Sequence, residues 1–258
     1  MNRARSESTL KTGTGRGVLE GAFLLLEELA QADEAGLTQL SSATGLPKST
    51  THRLLDQLVA VGAVHRGDRG RYRVGARAFR LGQMWTPAPV LRTAAARPAR
   101  QLAAAIGESV SVAVMNGPDA LVVTGVMGPA DEVWSLRPGV VLPSASAAEI
   151  AIKATRPRAE APGDHSRPDW ARRVTSARDL GVAYDYENVL PPLACVAAPV
   201  HDPTGATVAA IAAVVMDSRR LASLTDAVRG TADRISANLT RIPGAGRALR
   251  LLSDPDPV

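Results

Sequence analysis

Hydroxyl and basic side chains follow one another closely in two segments of the N-terminal half of the chain. Side chains of these types donate hydrogen bonds to phosphate oxygens and to the base edges in the grooves of DNA. The predicted base contacts are Ser49, Thr50, Thr51, His52 and Arg53. The predicted phosphate contacts are Lys48, Arg66, Arg69 and Arg71. This pattern favours the binding of double-stranded DNA.

The positive charge of the chain is concentrated in the same region. The 258 residues carry a formal net charge of +5. Residues 45–82 contain eight Lys and Arg against two Asp, an excess of six, whereas residues 83–258 contain 18 basic and 17 acidic side chains. A local excess is typical of one nucleic-acid-binding module attached to a neutral domain. The alternative is an Arg-rich surface that is merely solvated.

The sequence offers little for catalysis. The segment GTGRG at 13–17 breaks the dinucleotide-binding fingerprint because position 18 is Val. No phosphate-binding GxxxxGK[ST] motif is present, and the four His have no metal-ligand spacing. We therefore predict that the chain is not an enzyme and that it uses no cofactor and no metal.

The sequence also indicates where in the cell the protein is located. No apolar run approaches the roughly 18 residues that a membrane span needs, so we expect no membrane partner. The polar N-terminus lacks the apolar region of a secretion signal. The single Cys195 excludes an intramolecular disulfide and fits a reducing compartment. The predicted location is the cytoplasm.

The DNA-contacting residues need elements that present them together. Apolar spacing predicts a helix over 18–30, a short helix LTQLSSAT capped by Thr38 and ended by Gly45, and a second helix from Lys48 to Gly62. The buried stripe predicted for that second helix is Leu54, Leu55, Leu58 and Val61. Strand-like segments at 63–66 and 71–75 flank the turn formers at 67–70, which predicts a hairpin. This order indicates a winged helix-turn-helix, and a helical hairpin of an unrelated domain is the alternative.

The remainder of the chain mixes helical and strand patterns. The predicted helices are a connecting helix over 91–106, an Ala-rich helix from Ser144 or Ser146 to Ala154, and helices over 169–180 and 221–239. The predicted strands are 109–115, 120–126, 133–136, 194–201 and 207–215, with a loop over 155–168 and a turn over 184–187. Such mixing predicts an α+β sheet domain.

Five segments follow from these patterns. They are a disordered arm over 1–15, the winged helix-turn-helix domain over 16–82, a linker helix over 83–107, an α+β domain over 108–242, and a flexible tail over 243–258. The family resemblance described next implies that residues 108–242 serve effector binding and oligomerisation.

The first domain carries a specific resemblance. The segment GLPKST, followed by RLLxxLxxxGxV and GRYRVG, resembles the winged helix-turn-helix of IclR-type bacterial transcription regulators. In the second domain, GVAYDYENVLPPLACVAAPVHDPTGATVAAIAAVV resembles the GYAxDxEE…CxAAPVxDxxGxxxAAI segment of that family. The resemblance covers most of residues 16–240. It implies that the second domain is a GAF/profilin-like sheet with an effector pocket on one face.

The resemblance also implies which residues line that pocket. They are Ala147, Ala148, Asp185, Leu193, Cys195, Ala212 and Val214. Where the family has a Gly-Lys pair, this chain has Glu149-Ile150. A lining of Ala, Val and Leu lacks donors for a small organic acid, so a more apolar effector or a pocket that binds nothing is expected. Two alternatives stay open, since Cys195 can be a simple core residue and backbone N–H groups at a helix start can hold an anion.

For the whole protein, the resemblance implies a homodimer or homotetramer on a semi-palindromic operator, with the first helix and residues 89–106 pairing the DNA-binding domains. A small-molecule effector would modulate DNA binding by favouring one spacing of the two domains. The alternatives are a constitutive regulator whose second domain serves only assembly, and an enzyme. The chain itself does not distinguish a repressor from an activator.

Overall fold

The computed structural model describes residues 17–156, 159–163 and 165–253. The chain divides into two compact units, Met1–Trp85 and Thr86–Val258. The predicted arm over 1–15 lies outside the described residues.

The first unit contains three helices, a small sheet and a fourth helix. In chain order they are α1 (Val18–Ala32), β1 (Ala35–Gly36), α2 (Leu37–Thr44), α3 (Lys48–Ala60), β2 (Val64–Arg66), β3 (Arg71–Val74) and α4 (Ala76–Gln83). The strands pair antiparallel in the order β1-β3-β2. This arrangement confirms the predicted winged helix-turn-helix, with β2 and β3 as the wing.

A compact apolar core holds α3 in place. Its largest fully buried side chains in this unit are Leu25, Leu29, Leu40, Leu54, Leu55 and Tyr72. Gly45 ends α2 in the left-handed conformation, at φ 69°. The Ser41 hydroxyl donates to the Leu46 carbonyl at 2.7 Å, which ties α2 to the turn before α3.

Four local predictions for the first unit are wrong or incomplete. Val61 is 51% exposed because it follows the last residue of α3 instead of continuing the buried stripe. Gly36, not Thr38, precedes α2, and Thr38 lies within its first turn. Strand β1 and helix α4 had no clear sequence signal, since one is two residues long and the other presents no buried residue.

The second unit is built on a six-stranded antiparallel sheet. In chain order its elements are α5 (Pro87–Ile106), β4 (Ser109–Asn116), β5 (Asp119–Val126), β6 (Val141–Leu142), α6 (Ala147–Ala154), α7 (Arg167–Leu180), β7 (Ala183–Leu190), β8 (Leu193–His201), β9 (Thr207–Val215), α8 (Leu221–Thr240) and α9 (Ala245–Ser253). The strand order is β6-β5-β4-β9-β8-β7. The predicted α+β class is confirmed.

Helices cover both faces of this sheet. Every residue of the central strand β9 is buried, which requires apolar contact on both faces. Helices α6 and α7 contact each other and the sheet, whereas α5, α8 and α9 form a second group. The sheet therefore lies between two helical layers, and the α6–α7 layer covers the face described below.

Several predictions for the second unit need correction. Residues 133–136 form no strand, because a 3-10 turn over Pro129–Glu132 is followed by loop. The predicted turn over 184–187 is part of β7, whose pairing with β8 is irregular after Asp185 and whose Glu187 has φ 60°. The linker helix begins at Pro87 and belongs to the second unit.

The predicted flexible tail is wrong over most of its length. Residues 245–253 form α9, which contacts α5, β4 and β9. Its side chains Ala245, Leu249 and Leu252 are buried. An apolar face at helical spacing anchors this segment. Residues 254–258 lie outside the described part of the chain.

Candidate nucleic-acid interface and ligand site

Helix α3 presents one polar face. Lys48, Ser49, His52 and Arg53 are exposed, and Thr50 is half-buried. Ser49, His52 and Arg53 are three and four residues apart and therefore share a face of the helix. The start of α3 therefore brings these predicted contacts together on one surface. The wing belongs to the same unit.

Thr51 does not belong to this surface. It is fully buried, and its hydroxyl donates to the Pro47 carbonyl at 3.0 Å. A side chain in this position cannot reach a base edge, so the prediction that Thr51 contacts DNA is wrong. A β-branched hydroxyl residue in the first turn of a helix commonly bonds back to the chain, which is the signal that sequence reasoning missed.

His52 has a partner on its own helix. Its Nδ1 lies 2.9 Å from a carboxylate oxygen of Asp56, one helical turn further along, and both side chains are about half exposed. Asp56 therefore engages one of the two ring nitrogens of His52. Such a contact orients the ring and leaves its other nitrogen free to meet a base or a phosphate.

The wing forms a concave, mostly cationic surface. Its lining residues are Glu34, His65, Arg66, Gly67, Asp68, Arg69, Arg71 and Arg73. The Arg66 guanidinium lies 5.6 Å from the centre of the Tyr72 ring, which holds its stem against the wing. Arg69 lies at the tip with φ 61°. The predicted phosphate contacts of the wing are thus gathered on one surface.

One of those cations is already paired. Arg71 Nε lies 2.6 Å from Glu34 Oε1, and its Nη2 donates to the Glu34 carbonyl at 2.8 Å. Glu34 directly precedes β1, and β1 pairs with the start of β3, which brings the two residues together. No local sequence signal connects positions so far apart in the chain.

In the second unit, one face of the sheet gathers the predicted effector residues. Asp185, Cys195 and Val214 are direct cross-strand partners on β7, β8 and β9. Leu193 and Ala212 are two positions from Cys195 and Val214 on the same strands, so they share that face. Ala147 and Ala148, at the start of α6, are buried in one cluster with Ala212 and Cys195. The geometry groups these residues, and their ligand role stays a prediction.

An apolar group lies at the end of this face, and we call it the ligand-face cluster. Its members are Ala130, Leu136, Leu193 and Val214, with Trp134, Leu142, Leu190 and Cys195 packed against them. The Trp134 Nε1 atom is buried and has no hydrogen-bond partner among the described residues. Sequence reasoning missed Trp134 because it assigned residues 133–136 to a strand.

The environment of the Cys195 thiol makes it unreactive. Although part of its surface stays accessible, apolar neighbours surround it. Burial raises the pKa of the thiol, and the nearby Asp185 carboxylate raises it further. The reactive thiolate is therefore disfavoured, which agrees with a packing role or a lining role and not with a nucleophile.

Two buried carboxylates flank the start of α6, and both are satisfied. Glu149 Oε2 accepts from the Ala145 N–H at 2.7 Å, and its Oε1 lies 2.6 Å from Lys153 Nζ. Asp185 accepts from the N–H and the side-chain amide of Asn188 at 3.3 and 3.2 Å. The Nη2 of Arg173 lies 3.6 Å from Asp185 and donates to the Ala145 carbonyl at 3.0 Å.

A third carboxylate fixes the loop that carries Trp134. Asp131 accepts from the Ser109 hydroxyl at 2.8 Å, from the Gly128 N–H at 3.0 Å and from the Leu136 N–H at 2.9 Å. Three donors on separate parts of the chain thereby hold the loop against β4. The position of Trp134 is consequently set by the fold.

Within residues 17–156, 159–163 and 165–253, no group of three or more His, Cys, Asp and Glu is arranged to hold a metal ion. In the same part of the chain, no helix combines the length and the apolar character that crossing a membrane requires.

Family models match each unit separately. The model of the IclR helix-turn-helix domain matches residues 18–68. The model of the C-terminal part of bacterial transcriptional regulator IclR matches residues 165–237.

Relatives of known name match nearly the whole chain. The glycerol operon regulatory protein of Streptomyces coelicolor is 32% identical over 89% of this chain and 97% of its own length. The HTH-type transcriptional repressor AllR of Klebsiella pneumoniae is 27% identical over 90% of this chain and 93% of its own length. Both names are those of transcriptional regulators and not of enzymes.

Solved structures share the architecture. An IclR homolog of Microbacterium hydrocarbonoxydans, crystallised with 4-hydroxybenzoate, is 22% identical, has a TM-score of 0.70, and covers 88% of this chain and all of its own. The IclR protein of Thermotoga maritima is 19% identical, has a TM-score of 0.63, and covers 86% of this chain and 98% of its own. At these identities the likeness concerns the fold.

Proposed function

The chain belongs to the IclR family of DNA-binding transcriptional regulators, and on that premise we propose that it represses transcription in the bacterial cytoplasm by binding a semi-palindromic operator as a homodimer or homotetramer. In this proposal the exposed face of α3 reads bases and the wing contacts phosphates. A small molecule on the α6–α7 face of the sheet modulates binding. The names of relatives, several of which are repressors, support the sign of the regulation.

The polar face of α3 is the observation that carries the DNA-binding part. Lys48, Ser49, His52 and Arg53 are exposed at the start of the second helix of a helix-turn-helix, which is the end that enters the major groove. Thr50 completes the surface from a half-buried position. The cationic wing supplies contacts that do not depend on sequence.

Exposed apolar side chains support self-association. Leu19 and Phe23 lie one turn apart on α1 and are 76% and 63% exposed, and Phe79 and Leu81 on α4 are 65% and 66% exposed. Large apolar side chains that remain exposed on these helices support an interface there. We therefore propose that α1 and the linker helix over 89–106 pair the DNA-binding units, with α4 adding exposed apolar side chains.

The effector part rests on the grouping of the predicted lining residues. They share one face of the sheet beside α6, and the likeness to a protein crystallised with 4-hydroxybenzoate supports a ligand there. A constitutive regulator is the less favoured alternative. A ligand must bind one DNA-binding arrangement better than the other to change operator affinity.

Binding to the upstream DNA of its own gene tests the function. Full-length protein is titrated against that fragment and against random DNA across a salt series. A steep salt slope with at least about a thousandfold preference for the upstream fragment is expected. Equal binding to both fragments at every salt concentration would contradict sequence-specific regulation. The same complex, challenged with 4-hydroxybenzoate, then gives a first effector assay.

A further inference from the structure

We propose that the ligand-face cluster takes a neutral, mainly apolar molecule with a hydrogen-bond acceptor, that the indole N–H of Trp134 donates to this acceptor, and that the site discriminates against carboxylates. This inference rests on the proposed effector site and adds the chemical class of its ligand. Neither the family models nor the names of the relatives assign a role to Trp134.

The first observation is the unused donor of Trp134. Its Nε1 atom is buried and, among the described residues, meets no acceptor. An indole nitrogen is a donor only, and buried donors in proteins are nearly always satisfied. A ligand that brings one acceptor to this atom recovers a hydrogen bond that the free protein lacks.

The second observation is the apolar surroundings of that donor. Trp134 packs against a cluster built from Ala130, Leu136, Leu193 and Val214. Aliphatic walls with one convergent polar group are typical of sites for small apolar ligands. A hydrocarbon or aromatic body matches the apolar chemistry of these side chains, and the indole N–H would fix its orientation.

The third observation is the negative charge of the buried carboxylates near the cluster. Asp185 is the cross-strand partner of Cys195, a member of the cluster, and Glu149 is buried at the start of α6. The cations beside them, Arg173 and Lys153, are already engaged by these carboxylates and by the Ala145 carbonyl. A ligand carboxylate would bring a further negative charge beside them and would lose its hydration, which disfavours binding.

The donor is also held in place before a ligand arrives. The Asp131 carboxylate accepts from the Ser109 hydroxyl and from the backbone N–H groups of Gly128 and Leu136. The backbone N–H of Trp134, which is distinct from its indole N–H, donates to the Ala130 carbonyl at 3.0 Å. Because the loop is fixed by the fold, little ordering is required upon binding. Preorganisation of this kind turns a single hydrogen bond into selectivity.

The test compares matched probes on full-length protein. Methyl benzoate is neutral and carries an acceptor, benzoate is the anion of the same ring, and propylbenzene has the body without an acceptor. A panel of small esters and ketones, each with its acid and its hydrocarbon, extends the set. Affinities are measured by calorimetry for the natural protein, for Trp134→Phe, and for Trp85→Phe as a control in the other unit.

Neutral acceptor-bearing probes are expected to bind at least about tenfold more tightly than their acids. Trp134→Phe should weaken them by about two- to tenfold, the loss of one hydrogen bond. The same substitution should leave the hydrocarbons unchanged, and Trp85→Phe should leave every probe unchanged. Glu149→Gln should narrow the gap between each neutral probe and its acid.

Three results would overturn the inference. They are tighter binding of the acids, esters that bind Trp134→Phe as well as the natural protein, and a panel in which no probe binds. The operator assay separates this failure from that of the proposed function. If an acid binds and alters operator affinity, the effector site stands and only the ligand class is wrong. If no compound alters operator affinity, the effector part of the proposed function fails as well.

Discussion

Arg71 and Glu34 form an ion pair with 2.6 Å between Nε and the carboxylate oxygen, so a cation of the wing is neutralised within the protein. Both side chains are about half exposed, which keeps the pair weak in isolation. A phosphate that approaches Arg71 must therefore compete with Glu34. If Arg71 contacts a phosphate as proposed, the pair should weaken the binding of DNA of any sequence.

Replacing Glu34 by Gln should release Arg71 for phosphate binding. We expect affinity for operator and random DNA to rise alike, and the salt slope to steepen by about one unit. Glu20→Gln makes the same change in charge on an exposed residue of α1 and serves as the control. An affinity that rises equally in both variants would mean that only net charge matters and that Arg71 does not contact DNA.

Substitutions of Arg53 and Arg69 should weaken DNA binding in different ways. Arg53→Ala should lower operator affinity by about 1–3 kcal/mol and relax specificity, because Arg53 is exposed on the polar face of α3 that we propose to contact bases. Arg69→Ala, at the tip of the wing, should weaken all DNA equally and flatten the salt slope. Equal losses on operator and random DNA for Arg53→Ala would remove it from base recognition.

Thr51 should matter for folding and not for recognition. Thr51→Val keeps the shape of the buried side chain and removes its bond to the Pro47 carbonyl. We expect a loss of about 1 kcal/mol in the free energy of unfolding, with unchanged discrimination between operator and random DNA. The neighbouring variant Thr50→Val should show the reverse pattern. Loss of discrimination in Thr51→Val at full stability would restore Thr51 as a contact.

Sequence reasoning succeeded where local signals are strong. Gly45 and Gly107 mark the ends of α2 and α5 because glycine readily adopts the left-handed conformation found there. Pro47 marks the start of α3 because proline has a fixed φ and no N–H, which excludes it from a helix interior. The cap of α6 was predicted at Ser144 or Ser146, and the structure has it at Ser146, whose hydroxyl oxygen accepts from the Glu149 N–H at 3.4 Å.

Sequence reasoning failed where contacts between distant parts of the chain determine the local structure. Strand β1 exists only because it pairs with β3, and α9 is ordered by contacts with α5 and β9 that lie far away in the chain. For the same reason, the sequence did not predict that Glu34 pairs with Arg71 or that Asp131 fixes the loop that carries Trp134. The predicted ligand residues were found through family resemblance, since nothing in their spacing connects Ala147 with Cys195.

Gly128 is a close-contact position in the loop that carries Trp134. A Cβ atom there would lie 2.6 Å from the Ser109 nitrogen and 2.8 Å from the Glu108 carbonyl carbon. Because both atoms are backbone, Gly128→Ala must displace the loop, and we expect a loss of about 1–3 kcal/mol in stability. Gly230→Ala, with nothing within 4 Å on helix α8, is the control and should be neutral or stabilising. Equal unfolding midpoints in urea for the two variants would show that the loop yields freely.

The contribution of Cys195 to the free energy of unfolding should decrease at alkaline pH. Burial raises the pKa of its thiol above the ordinary value of 9.0, so the folded state holds the proton more tightly than the unfolded state. The contribution of this group is therefore complete below pH 9.0 and declines as the pH rises above it. Urea unfolding at neutral and at alkaline pH should show a smaller alkaline loss in Cys195→Ala than in the natural protein.

The same shift should slow the reaction of Cys195 with thiol reagents. In the folded protein, disulfide exchange at mildly alkaline pH should be much slower than in urea, because the thiolate is the reacting form. A rate in the folded protein equal to the rate in urea would contradict both predictions. It would also make Cys195 an accessible residue of the site instead of a residue packed against the ligand-face cluster.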